Sequence, residues 1–205
     1  MRAPWLFLLP LLGCATAAAP DVPTNSLREQ LATETALAVS ASAGAITAAR
    51  WTPDGWETGV VALTIDRGEL AVLAEPSGAL LVQRLELALA PIEIPSTVIG
   101  RGAVLTDVHL ALATPTRVPA TWLDDRRGHA SASLPLELSW SLVYEGRTTP
   151  LGVITLPPLP LAIELVAGDD IGADVQIDAP GTVWSWAGLV RLGDLTLALA
   201  ASSER

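Results

Sequence analysis

The side chains best suited to acid–base chemistry are His109 and His129, the only two histidines of the chain. His109 lies in an alternating run beside Asp107, and these two residues with a serine have the residue types of a catalytic triad. Residues i and i+2 of a strand lie about 7 Å apart, however, which is long for a direct hydrogen bond. We therefore interpret His109 as a solvent-facing strand residue and His129 as part of the charged loop that begins at Asp124.

Motifs that organise catalysis are missing from the sequence. It contains neither the Gly-x-Ser-x-Gly elbow of hydrolases nor the His-Glu-x-x-His zinc motif. The run Gly100-Arg101-Gly102 begins a dinucleotide-like pattern, but Leu105 stands where the next glycine should be. Without any lysine, Schiff-base chemistry and lysine-dependent phosphate binding are excluded. We expect a protein that is not an enzyme and that uses no cofactor.

Four aspartates form the best candidate for a metal site: Asp169, Asp170, Asp174 and Asp178. Calcium prefers several hard oxygen ligands in a loop bent by glycine, and Gly172 lies within this stretch. The spacing of an EF-hand and its terminal glutamate are missing. A solvated acidic loop between strands is therefore the favoured interpretation, with a calcium site as the alternative.

Tryptophan supplies seven of the nine aromatic residues and can form flat binding surfaces. Trp184 and Trp186 are two residues apart, which places them on one face of a strand, where paired indoles can bind a sugar or a lipid chain. Trp51 and Trp56 flank a predicted turn at residues 52–55. Packing in the core or covering of a sheet edge is the simpler interpretation of these indoles, and we favour it.

The N-terminus has the layout of a secretory signal. Arg2 precedes about ten apolar residues, roughly half the length that a membrane-spanning helix needs. Residues 11–14 then read Leu-Leu-Gly-Cys, which resembles the lipobox of bacterial lipoproteins. The resemblance covers only the first fourteen residues. The alternative is an ordinary signal peptide that is cut at an Ala-x-Ala site near residues 17–19.

Membership of the lipoprotein class implies a specific modification. The thiol of Cys14 would receive a diacylglycerol, the signal peptide would be removed before Cys14, and the new amino group would be acylated with a fatty acid such as palmitate. Ala15 follows the cysteine, and by the same resemblance the absence of aspartate there permits transfer to the outer membrane. Several acyl chains together provide stable membrane attachment, because each buried methylene contributes about 0.8 kcal/mol.

Composition restricts what the mature chain can be. The formal net charge of -10 becomes -11 when the signal peptide with Arg2 is removed, so the chain is a poor ligand for nucleic acid. A single cysteine excludes an internal disulfide and a cysteine-rich zinc site. Since half of the residues are hydrophobic, the chain is also too apolar to be disordered. These properties leave a folded, acidic domain.

The elements that would position these side chains are mostly strands. We divide the chain into a signal peptide at residues 1–13, a flexible tether at 14–25 and a single β-rich domain at 26–205. Ser26 and Glu29 have the spacing of a capping box and predict a short helix. Alternating apolar runs separated by Gly/Pro turns then predict an all-β fold, either an antiparallel β-sandwich or a rolled sheet or barrel.

Individual strands and turns can be predicted from the same alternation. The pattern around Asp66-Arg67-Gly68 predicts a hairpin, and the run 75–78, Glu-Pro-Ser-Gly, predicts a second turn. Val104, Val108, Leu110 and Leu112 are predicted to share one strand face. Residues 133–144 give the clearest single strand.

Taken together, the sequence predicts a lipoprotein of the bacterial cell envelope, anchored to the outer membrane, with a non-enzymatic β domain in a structural or protein-interaction role. The alternative is a periplasmic carrier or binder of lipid or another apolar ligand. That alternative depends on runs that are apolar on both strand faces, such as residues 79–82 and 152–154. Its partners would then be the membrane, through the anchor, and an envelope protein or an apolar ligand.

Overall fold

The computed structural model describes residues 25–94, 102–186 and 190–203. Within these ranges the chain is all-β, as the sequence predicts, with one short helix and one curled antiparallel sheet that forms a half-barrel. Of the predicted architectures, the rolled sheet is therefore the one observed.

The elements follow one another along the chain with short connections. They are α1 (Leu27–Gln30), β1 (Thr35–Thr52), β2 (Gly55–Leu63), β3 (Ile65–Ala74), β4 (Leu80–Leu89), β5 (Ile92–Ile94), β6 (Ala103–Leu112), β7 (Thr116–Val118), β8 (Ala120–Asp124), β9 (Arg127–Leu134), β10 (Leu136–Tyr144), β11 (Arg147–Thr155), β12 (Leu159–Ala167), β13 (Ile171–Trp186) and β14 (Val190–Ser202). The strand order in the sheet is β11-β10-β6-β4-β3-β1-β14-β13-β12-β9-β8, while β2 pairs with β1, β5 with β6 and β7 with β4.

The helix α1 closes one end of the rolled sheet. Both bonds of the predicted capping box are formed: the Ser26 hydroxyl accepts from the Glu29 amide, and the Glu29 carboxylate accepts from the Ser26 amide. Leu27 and Leu31 are completely buried. We call this region, made of α1 and the turns at 75–79, 124–127 and 168–170, the capped end.

Backbone hydrogen bonds join the parts of the capped end. The amide of Leu27 donates to the carbonyl of Asp125 at 2.6 Å, and the amide of Ala74 donates to the carbonyl of Leu31 at 2.7 Å. The indole of Trp122 on β8 donates to the carbonyl of Gly78, 2.8 Å away. These bonds connect β8, at one edge of the sheet, to the turn between β3 and β4, so the sheet is drawn together at this end.

At the opposite end the sheet divides into two arms. β1 pairs with β3 through residues 35–38 and with β2 through residues 44–52. One arm therefore contains β2, the later part of β1, the first part of β14 and the later part of β13, and the other contains β5, β6, β10 and β11. We call the region between the tips of the arms, marked by the turns at 52–55 and 144–147, the open end.

Bulges in the strands set the direction of both arms. Asp107 in β6 and Asp194 in β14 adopt positive φ angles of 52° and 47°, a conformation that aspartate tolerates better than most residues, and each lies at a shift in register. The carboxylate of Asp194 accepts a hydrogen bond from the amide of Gly181, 2.9 Å away in β13. The bend of β14 is thus coupled to a bulge in its neighbour.

The hairpin predicted around Asp66-Arg67-Gly68 is wrong. β3 continues through these residues, with a shift in register between Ile65 and Arg67, and pairs with β4, whereas β2 pairs with β1. Gly68 serves close packing rather than a turn, because a Cβ atom there would lie 2.7 Å from Leu87 Cδ2 and 2.8 Å from Val39 Cγ2.

Two further strand predictions need correction. The run 133–144 is divided at Pro135 into β9 and β10. Val104 does not share the inner face with Val108 and Leu110, because the bulge at Asp107 reverses the alternation and turns Ala103 and Leu105 inward. The turn at residues 75–78 is confirmed.

Candidate functional site

The two arms of the open end enclose a small apolar space. Its lining side chains come from β1, β2, β4, β5, β6, β10, β13 and β14 and from Leu156, and all of them are apolar. The volume is about 60 Å³, whereas pockets for small molecules usually measure about 300–1,000 Å³. In this conformation the arms have room for a few methylene groups and no more.

Two indoles close this space between the arms. Trp140 on β10 and Trp184 on β13 meet edge to face, with their ring centroids 5.0 Å apart and their planes at 80°. β10 and β13 are not paired strands, so side chains rather than ladder hydrogen bonds hold the arms together here. Trp184 packs against the core and faces inward, as the favoured interpretation of the sequence has it. The side chain of Trp186 lies outside the described residues.

Free strand edges lie on either side of the contact between Trp140 and Trp184. In the described part of the chain, β11 pairs only with β10, and residues 178–186 of β13 pair only with β14. Both edges are interrupted. Pro150 and a shift in register beside Gly152 break β11, and Pro180 and two shifts in register break β13. Prolines and bulges at such positions prevent an added strand from forming a continuous ladder.

The tip of one arm carries an exposed aromatic pair. Trp51 and Trp56 face each other across the hairpin, with centroids 5.5 Å apart, and the Arg191 guanidinium lies 4.0 Å above the Trp56 ring. Trp51 is 48% exposed. The beginning of this hairpin is linked by an ion pair of 2.7 Å between Arg50 and Glu57. These indoles cover a hairpin rather than line the apolar space.

The structure separates the groups of the hypothetical triad. His109 lies on the outer face of the sheet, between Ser139 on β10 and Ala88 on β4, and its imidazole forms no hydrogen bond with any residue that the structure describes. Asp107 is displaced by its bulge and accepts only a long bond of 3.4 Å from the Thr106 hydroxyl. His109 is thus exposed, as predicted, and no carboxylate orients its imidazole.

His129 is a strand residue rather than a loop residue. It lies in β9, opposite Thr121 and Glu164. One ion pair forms in the adjacent turn, where Arg127 Nε donates to the Asp124 carboxylate at 2.8 Å. That bond and the amide of Arg126 lower the pKa of Asp124.

The four aspartates of the calcium hypothesis do not converge. Asp169 and Asp170 lie in the turn between β12 and β13, whereas Asp174 and Asp178 lie on the outer face farther along β13. Asp174 faces Glu164 across the ladder, and Asp178 faces Thr196. Within the described ranges, no group of three or more His, Cys, Asp or Glu side chains has the arrangement of a metal site.

Charged side chains also strengthen the capped end. Arg28 donates to the carbonyl of Pro76 at 2.7 Å, and the Arg117 guanidinium lies 2.6 Å from the Glu75 carboxylate. The hydrogen bond from Arg117, with a further one from Ser77, lowers the pKa of Glu75. These contacts hold α1 and β7 against the turn that begins at Glu75.

Cys14 lies outside the described residues. The helix of the described part is four residues long, and no helix there has the length and apolarity to cross a membrane. No protein-family model matches the chain, and no curated protein or solved structure matches it either.

Sequence reasoning missed the role of Trp140. Its inward position follows from the alternation of β10, but its partner Trp184 is 44 residues farther along the chain. No local signal joins the two indoles, since the contact depends on how the arms fold toward each other.

Proposed function

We propose that the protein is a lipoprotein of the bacterial cell envelope, anchored to the outer membrane through acyl chains on Cys14. The observation that carries this proposal is the run Leu11–Cys14 directly after a short apolar segment. A single cysteine in an exported chain would otherwise be a free thiol that is open to oxidation.

The β domain then has a non-enzymatic role in structure or protein interaction. Its histidines lie on outer strand faces, and the described side chains include no nucleophile oriented by a base. The acidic net charge fits attachment through the lipid anchor. A domain with a formal net charge of -11 is repelled by anionic lipid surfaces, so the acyl chains rather than the protein surface would hold it at the membrane.

The position of α1 fits an anchored domain. The tether leads into Leu27 at the capped end, and the 13 residue steps from Cys14 extend at most about 45 Å. β1 runs from the capped end to the tip of an arm in 17 steps, or about 55 Å. The open end would therefore point away from the point of attachment.

Replacement of the cysteine tests this proposal. In Cys14→Ser we expect loss of acyl labelling by an alkyne analogue of palmitate and release of the chain from the membrane fraction. Thr16→Ser, which leaves residues 11–14 intact, is the matched control and should remain in the membrane fraction with its label. Membrane association of Cys14→Ser equal to that of the control would refute anchoring at Cys14.

A second candidate function is a carrier of lipid or another apolar ligand. The apolar lining between the arms favours it, although the closed volume of about 60 Å³ is too small for such a cargo. A carrier would have to bind its ligand with the arms farther apart.

A further inference from the structure

We infer that the open end is a binding site for a single unbranched acyl chain, which enters between β10 and β13 when Trp140 and Trp184 separate. This inference develops the carrier function and does not depend on lipidation of Cys14. The apolar space between the arms is its inner part, and the contact between the two indoles lies at this space.

The lining determines the chemical class of the ligand. The lining surface is apolar, and the only polar groups of its side chains are the indole N–H groups of Trp140 and Trp184, so a ligand at this depth finds no charged side chain and no side-chain acceptor. Burial of an unpaired polar group is strongly unfavourable, whereas a hydrocarbon chain has no such group. The site therefore selects hydrocarbon over sugar or peptide.

The strand edges argue against a peptide. An extended peptide would add to β11 or to the later part of β13 through main-chain hydrogen bonds. Pro150 in β11 and Pro180 in β13 each lack the amide N–H that an added strand would need. Bulges beside both prolines also disturb the spacing of the neighbouring backbone N–H and C=O groups. A hydrocarbon chain needs no ladder and is unaffected by these interruptions.

The length of the inner surface also fits an acyl chain. The inward side chains of β10 continue from Leu138 through Leu142 to Tyr144, and all three of these are half-buried. Six residue steps along a strand cover about 20 Å. The acyl chain of a membrane lipid spans half of a hydrocarbon core of about 30 Å, or about 15 Å.

Within the described residues, separating β10 from β13 breaks no strand pairing. β10 and β13 share side-chain contacts only, while each keeps its own ladder within its arm. The acyl chain would replace the contacts that Trp140 and Trp184 lose with apolar contacts of its own. A ligand that stabilises a minor open conformation in this way makes that conformation dominant.

Quenching of tryptophan fluorescence by 9,10-dibromostearic acid tests the site, because bromine quenches indoles that it contacts. The protein is the full chain with Cys14→Ser, which carries no attached lipid, and the fatty acid is kept below its micellar concentration. We expect saturable quenching with one equivalent bound, and little change with unbrominated stearic acid.

Adjacent residues on β11 provide a matched pair of variants. Ile154 packs inward and is half-buried, whereas Val153 points outward and is 65% exposed. Ile154→Asp places a charge on the proposed path of the acyl chain and should raise the Kd for the brominated fatty acid about tenfold or more. Val153→Asp adds the same charge outside and should leave the Kd within about twofold of the parent value.

A second pair of variants keeps the inference testable if the first inward variant does not fold. If circular dichroism shows that Ile154→Asp is unfolded, Leu142→Asp and its outward neighbour Val143→Asp replace the first pair. Absence of saturable quenching in the parent chain, or equal Kd values within the folded pair, would overturn the inference. Native mass spectrometry that finds a peptide bound to the purified chain would overturn it too, in favour of an added strand.

Discussion

The two ends of the rolled sheet are closed by different kinds of interaction. At the capped end, main-chain groups of Leu27, Leu31 and Ala74 hydrogen-bond across elements that are far apart in sequence, and Glu75 is paired with Arg117. Among the described residues of the open end, the arms contact each other mainly through apolar side chains, with the contact of Trp140 and Trp184 at the gap. One backbone hydrogen bond, from the amide of Ala90 to the carbonyl of Thr64, joins the connections from which the arms begin.

This difference separates a fixed closure from an adaptable one. Main-chain hydrogen bonds are directional and costly to leave unmade in a buried site, so the capped end has one arrangement. Apolar contacts are non-directional and can be exchanged for contacts with another apolar group. The same alternating sequence pattern thus produces one end that is held by main-chain hydrogen bonds and one end that is held mainly by apolar contacts.

The largest expected difference between the two ends is the loss of stability when one leucine at each end is replaced by alanine. Leu31→Ala removes a completely buried side chain beneath α1, and we expect it to lower the free energy of unfolding by about 2–5 kcal/mol. Leu142→Ala, the matched change on a half-buried residue of the open end, should lower it by about 1 kcal/mol. Urea denaturation measures both, and equal losses would contradict the distinction between the ends.

The indole pair gives a smaller effect. In a double-mutant cycle of Trp140→Leu and Trp184→Leu, we expect a coupling free energy of about 0.5–1.5 kcal/mol from the edge-to-face contact. The same cycle on Trp51 and Trp56, which belong to one ladder, should give about 0.2–1 kcal/mol. Additive effects of the Trp140 and Trp184 substitutions would mean that this contact does not hold the arms together.

The smallest effect is the acid sensitivity of the capped end. Because the pKa of Glu75 lies below its ordinary value of 4.5 in the folded protein, its contribution to stability is present above that value. It is lost as the pH falls through the lowered pKa. Glu75→Gln should therefore reduce the urea midpoint slightly at pH 7 and flatten its decline at acidic pH. An unchanged pH profile in this variant would show that the pair with Arg117 does not stabilise the capped end.

The sequence predicts local structure well where a few adjacent residues determine it. The capping box of Ser26 and Glu29, the turn at residues 75–78 and the hairpin turn between Trp51 and Trp56 all depend on neighbours in the chain. The period of two identifies strands and gives the all-β class, because it requires only that one face be buried.

The remainder depends on distant contacts. The same alternation suits any antiparallel partner, so it does not reveal that β2 pairs with β1 or that β14 lies between β1 and β13. A bulge such as that at Asp107 reverses the faces of a strand with no change in composition. Gly68 shows the same limit, since a glycine that permits close packing and a glycine that forms a turn are identical in sequence.

Both described ends of the chain lie at the capped end, and this determines how the domain bears mechanical load. Ala38 of β1 pairs with Ser202 of β14, so a force applied between Asn25 and the end of β14 would separate this ladder one hydrogen bond at a time. A force applied between Asn25 and the tips of the arms would act along the strands and load many hydrogen bonds of the ladder together. The domain should therefore withstand far more tension through its open end than through its own C-terminal strand.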